Sequence, residues 1–128
     1  MQTFDYYVYC YCNPLKPGNF IYNNVQLIYE PFYIGKGHKD RYMAHLKEAK
    51  NTKINNYKLN TIRKILKSGK EPIILFLAKD LSEQEAYRLE INYINQFGLK
   101  IDKKGVLLNL KEGGIGFTSE RTSGENNP

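Results

Sequence analysis

Tyr7-Val8-Tyr9 and Tyr33-Ile34-Gly35 are the two fragments on which the reading of this 128-residue chain turns. The first lies in Phe4-Asp5-Tyr6-Tyr7-Val8-Tyr9-Cys10-Tyr11-Cys12, and the second opens at Phe32 and runs into Gly35-Lys36-Gly37. Aromatic and β-branched residues suit a pleated, half-buried surface, so both runs read as strands. On the first, Tyr7, Tyr9 and Tyr11 share one face and Tyr6, Val8, Cys10 and Cys12 the other.

Working outward, Asn13-Pro14 and Pro17-Gly18-Asn19 interrupt the first strand. Phe20-Ile21-Tyr22, Asn23-Asn24 and Val25–Tyr29 then read as a small hairpin inserted between the two main strands, over 13–31. That insert suits either a substrate-contacting flap or a stabilising element. Residues 39–49 show helical spacing through Tyr42, Leu46 and Ala49, and a second helix is expected over 54–68, stopped by Gly69. The apolar run Pro72–Ala78 reads as a buried central strand. Ser82-Glu83-Gln84-Glu85 is a capping box opening a third helix over 83–97, which Gly98 closes. Val106–Leu110 reads as a short final strand or extended segment.

The expected fold is therefore α/β in the α+β sense. A small antiparallel sheet of three strands (4–12, 31–35, 72–79) is flanked by about three helices. One domain is expected over 1–112, and the polar, glycine-rich stretch 113–128 reads as a linker or tail. Its end, Gly124-Glu125-Asn126-Asn127-Pro128, resembles the opening of small DNA-binding repeats, which suggests a piece of a longer protein.

No apolar stretch approaches the roughly 20 residues that span a bilayer, and Met1–Asp5 lacks the basic and apolar parts of a signal peptide. The reading is a cytoplasmic protein with no membrane partner, in a phage-encoded or nucleoid-associated setting. Cys10 and Cys12 point the same way on one strand and read as small core hydrophobes rather than a disulfide. The net charge of +6 is unevenly spread: residues 36–70 hold eleven Lys/Arg against two acids. A basic block on folded helices suggests a polyanionic partner.

Arg41 follows Tyr33 by eight residues, and His45 follows Arg41 by one helical turn, on the same face. Glu90 stands in the apolar stripe of the third helix with Ala86, Tyr93 and Phe97, where a carboxylate is costly without a partner. Taken singly, each of these residues has an ordinary reading. Their order and spacing together resemble the GIY-YIG nuclease superfamily over about residues 4–112. Tyr33-Ile34-Gly35 matches the second motif directly, whereas Tyr7 stands where the first motif names Gly. Asn109 matches the late asparagine of that family.

The resemblance implies a divalent-metal-dependent DNA endonuclease, with DNA as partner and a monomeric or weakly dimeric state. A homing-type catalytic domain is the leading form. A structure-specific repair nuclease is the alternative, and a catalytically inactive nucleic-acid-binding module is the alternative of another class. Tyr9 would be the general base, Tyr33 would orient water or phosphate, and Arg41 would offer a planar donor fork. His45, or the positive charge of Arg41 and Lys36, would ease loss of the Tyr9 proton. Glu90 would hold Mg²⁺, or Mn²⁺ in its place. Asn109 would brace the site. Lys36, His38, Lys58, Arg63 and Lys67 are the expected DNA or phosphate contacts.

Overall fold

A computed structural model describes residues 3–110, and the expectations for 113–128 lie outside them. Three strands form one antiparallel sheet in the order β2-β1-β3: β1 (Tyr6–Tyr22), β2 (Val25–His38) and β3 (Ile73–Leu81). The helices are α1 (Ala44–Asn51), α2 (Tyr57–Lys67) and α3 (Glu83–Phe97), and a 3₁₀ turn, Arg41–Met43, leads into α1. This is the α+β architecture expected from the sequence.

Two elements differ in detail. The segment 13–31 is not a separate hairpin. It continues β1 and β2 past the proline and glycine breaks as one long hairpin, turning at Asn23-Asn24, with pairing irregularities at Tyr11/Cys12, Asn13/Pro17 and Pro17/Phe20. Bulges absorb residues that cannot pair, so the breakers bend the ribbon without ending it. Second, the central strand is β1 and not 72–79. Val8, Tyr9, Cys10, Tyr11 and Cys12 are all within 1 % of full burial, whereas β3 lies at an edge with Leu75 and Phe76 exposed. Apolar content alone does not rank strands within a sheet; here the strand with aromatic residues on one face is the one covered on both. Of the two forms expected for 106–110, the extended segment is found, with an isolated bridge from Leu99 to Leu107.

The sheet separates two cores. Tyr7, Tyr9, Tyr11 and Phe32 meet Leu46, Leu59, Ile62 and Ile65 of α1 and α2 on one face. Val8, Cys10, Cys12 and Ile34 meet Ala86 and Phe97 of α3 on the other. Cys10 and Cys12 are free and buried in that second core. The capping box of α3 is formed in both directions, Ser82 Oγ accepting from Glu85 N–H and Glu85 accepting from Ser82 N–H, each at 3.1 Å. Asn56 caps α2 by accepting from Leu59 N–H at 2.8 Å. Gly98, at φ 87°, lets the chain leave α3 and double back, and a side chain there would strike the Lys104 carbonyl.

Candidate active site

Register decides which side chains meet. Tyr7 pairs with Gly37, Tyr9 with Gly35 and Tyr11 with Tyr33, so all six project toward α1 and α2. The Tyr9 ring lies across Gly35: a Cβ there would sit 2.5 Å from Tyr9 Oη. Glycine in the second motif is therefore what admits the tyrosine of the first. Gly37 does the same for Arg41, whose Cβ and Cγ occupy the space a Gly37 side chain would need.

Tyr7 and Tyr11 set the corner that carries Arg41. Tyr7 Oη donates to the Lys39 carbonyl at 2.9 Å and accepts from Tyr42 N–H at 3.0 Å. Tyr11 Oη donates to the Tyr42 carbonyl at 2.5 Å. The sequence reading gave neither residue a task. The signal available was the strict alternation of tyrosines on one strand face. Arg41 itself is exposed, with its stem over Gly37.

His45 is buried beside this row. Its ring meets that of Tyr33 edge-on at 4.7 Å and that of Tyr11 at 6.2 Å. Nδ1 lies 3.3 Å from Glu48 Oε1. Nε2 is buried with no hydrogen-bond partner among the described residues. Burial lowers the imidazole pKa to about 4, Lys58 and Arg41 add to the effect, and the Glu48 hydrogen bond opposes it. Lys58 Nζ stands 4.6 Å above the Tyr33 ring centroid. Burial brings its ammonium down to about 8, against the pull of Glu48. Lys58 thus sits at the centre of the cluster.

Tyr9 is 1 % exposed. Burial pushes its hydroxyl well above the ordinary tyrosine range, Tyr33, Tyr11 and Glu90 add to that, and Arg41 alone pulls it down. Among the charged groups that act on Tyr9, Arg41 outweighs Glu90. Glu90 is half-buried on α3.

Lys36 and His38 alternate with the glycines and so face α3 instead. Lys36 Nζ lies 3.9 Å from Glu83 of α3 and 5.7 Å from the Tyr6 ring centroid, and the His38 ring packs on Tyr6 at 4.6 Å. Lys36 is thus not the cation that could assist Tyr9, because the pleat sends the two to opposite faces. A shallow depression of about 330 Å³ between Lys36, Glu83, Gln84 and Tyr87 lies on that side.

Asn109 grips the backbone of the second motif, accepting from Ile34 N–H at 3.0 Å and donating to the Ile34 carbonyl at 2.7 Å. Leu108 N–H donates to the Phe32 carbonyl at 2.7 Å just before it. Arg63 has a different task from the one expected. Its Nε donates to the Ala49 carbonyl, Nη1 to the Ile54 carbonyl and Asn60 Oδ1, and Nη2 to the Thr52 carbonyl, at 2.7–3.1 Å. The fork ties the end of α1 and the α1–α2 loop to α2. Lys67 is exposed, nine residues from Lys58 on α2. At about 3.6 residues per turn that is half a turn out of phase, so the two do not share a face.

The LEM-3-like GIY-YIG domain pattern matches residues 20–125. The chain belongs to the LEM-3-like GIY-YIG family. No curated protein and no solved structure shows significant similarity to it. As a GIY-YIG domain it is of nuclease type, a kind that generally uses divalent metal and acts on DNA. Among the described residues no group of three or more His, Cys, Asp or Glu converges as a closed metal cage, and no helix is long and apolar enough to cross a membrane.

Proposed function

We propose that this GIY-YIG domain is a divalent-metal-dependent endonuclease that hydrolyses phosphodiester bonds of DNA. The carrying observation is the packing of Tyr9 on Gly35 and of the Arg41 stem on Gly37, beside Tyr33, on one face of the β1–β2 pair. A single half-buried carboxylate suits Mg²⁺, which keeps most of its waters and takes one or two carboxylates with the substrate phosphate. Glu90 would hold that ion, which supplies charge neutralisation at the phosphate and the leaving oxygen.

The chain's own residues do the rest. Arg41, exposed at the corner fixed by Tyr7 and Tyr11, presents its fork to the phosphate as charge builds. Tyr9 accepts the proton of the attacking water. Burial opposes a standing tyrosinate, so Tyr9 passes its own proton on as it receives the new one. Tyr33, with its ring 6.3 Å from that of Tyr9 and 4.7 Å from that of His45, orients the water between them. Asn109 keeps the strand carrying Tyr33 and Gly35 in register. Lys58 contributes positive charge at the phosphate from inside the site, and Lys36 and His38 contact the flanking backbone from the α3 side.

The homing-type expectation draws no specific support from the family match. The long β1–β2 hairpin and the Phe32-Tyr33-Ile34-Gly35-Lys36-Gly37 form favour a structure-specific enzyme acting on branched or damaged DNA.

The test is nicking of supercoiled plasmid and of branched oligonucleotides, with wild type, Glu90→Ala and Tyr9→Phe, in Mg²⁺, Mn²⁺ or EDTA. Cleavage is expected to need metal, to vanish in Glu90→Ala while DNA binding persists, and to fall about 10²–10⁴-fold in Tyr9→Phe. Undiminished cleavage by Glu90→Ala would remove Glu90 as the metal ligand. Preference for plasmid over branched DNA would return the homing-type form.

A further inference from the structure

Glu48 has no part in the roles above, yet it makes the polar contact of His45 Nδ1, 3.3 Å away and one helical turn along α1. That hydrogen bond holds the Glu48 carboxyl below its ordinary range, so it is a carboxylate and can only accept. Nδ1 must therefore carry the proton. The ring is kept neutral by burial, by Lys58 from α2 and by Arg41 from the corner before α1, while Tyr11 and Tyr33 close it off from the sheet. A neutral ring protonated at Nδ1 has its lone pair on Nε2. That atom is buried and has no donor among the described residues. Leaving a buried acceptor unmatched is costly, an arrangement that persists where something supplies the missing donor during work.

We propose that Glu48 is a positioning residue: it fixes His45 as the Nδ1–H tautomer and so makes Nε2 the acceptor for the proton released when water attacks the phosphodiester. This rests on the nuclease reading. A water O–H bond breaks as its oxygen bonds to phosphorus, and the P–O bond to the leaving alkoxide breaks. The proton passes from Tyr9 by way of Tyr33, whose ring lies 6.3 Å from that of Tyr9 and 4.7 Å from that of His45, to Nε2, forming an imidazolium held by the Glu48 carboxylate, and is returned to the alkoxide. The negative phosphate, once docked, raises the basicity that burial had suppressed. The arrangement follows the logic by which a carboxylate orders the histidine of a hydrolase triad.

Two histidines, His38 and His45, make the tautomer directly readable by ¹H–¹⁵N ring NMR, with His38→Asn to assign the signals. At pH 7 the wild type should carry the His45 proton on Nδ1. Glu48→Ala should shift population to Nε2–H, and Glu48→Asp should restore Nδ1–H. In metal-dependent nicking, Glu48→Ala should lower kcat about 10–100-fold with KM little changed, and Glu48→Asp should recover part of it. Circular dichroism checks that α1 is intact. A wild-type proton on Nε2, or a switched tautomer with unchanged kcat, overturns the proposal alone. A wild type that shows the Nδ1–H tautomer but cleaves no DNA overturns the nuclease reading and the proposal with it.

Discussion

At the residue scale, His45 ties site chemistry to stability. Its folded pKa of about 4 lies below the ordinary imidazole value of about 6.5. Between those values the unfolded chain binds the proton and the folded chain does not, so stability rises with pH across that window and is fully present above it. Acidification from about 6.5 to 4 should cost up to about 3 kcal/mol from this group. Glu48, whose carboxyl is lowered, adds a loss in the same direction at still lower pH. Thermal unfolding followed from pH 7 to 4 should therefore show a steep fall in Tm that is shallower in His45→Gln; equal slopes would assign the acid sensitivity to another group. None of this was readable in the sequence. His45 four after Arg41 announced a candidate, but its neutrality comes from Lys58 and burial, which belong to a different helix and to the fold.

At the element scale, the α1–α2 loop is held by one guanidinium. Arg63 donates to the Ala49 carbonyl of α1, to the loop carbonyls of Thr52 and Ile54, and to Asn60. Arg63→Lys keeps the charge and loses the fork, so it should destabilise by about 1–3 kcal/mol in urea unfolding while leaving the salt dependence of DNA binding unchanged. Unchanged stability with a flatter salt slope would make Arg63 a phosphate contact after all. The helix limits set by Ser82 and Gly98 were legible, because capping is local chemistry, whereas α2 starts after Asn56, later than the expected 54. The ranking of strands was not. β3 is more apolar than β1, yet β1 lies central because α1 and α2 cover its tyrosine face and α3 its cysteine face.

At the scale of the whole molecule, the basic block is not one surface. Lys47 and Lys50 lie near Asp40 and Glu71 at 3.7 and 3.9 Å, Lys36 faces α3, Lys58 faces the tyrosine row, and Lys67 lies half a turn from Lys58. DNA engaging the candidate site should therefore feel Lys58 and not Lys67. In EDTA, Lys58→Ala should reduce the slope of log K against log salt by about 0.9, the worth of one phosphate contact, and Lys67→Ala should leave it nearly unchanged. The reverse pattern would put DNA on the opposite side of α2.

The sequence by itself determined the strand pair, the presence of three helices with the capping box of the third, and the membership in a nuclease family. These follow from alternation, 3.6-residue spacing, capping chemistry and two short motifs, all local in the chain. Only the tertiary structure decided which face each residue serves. Pairing Tyr9 with Gly35 sets Tyr9 and Tyr33 toward α1 and α2 and sends Lys36 and His38 toward α3. A pleated strand turns successive side chains to opposite faces, so one register chooses the neighbours of every residue at once.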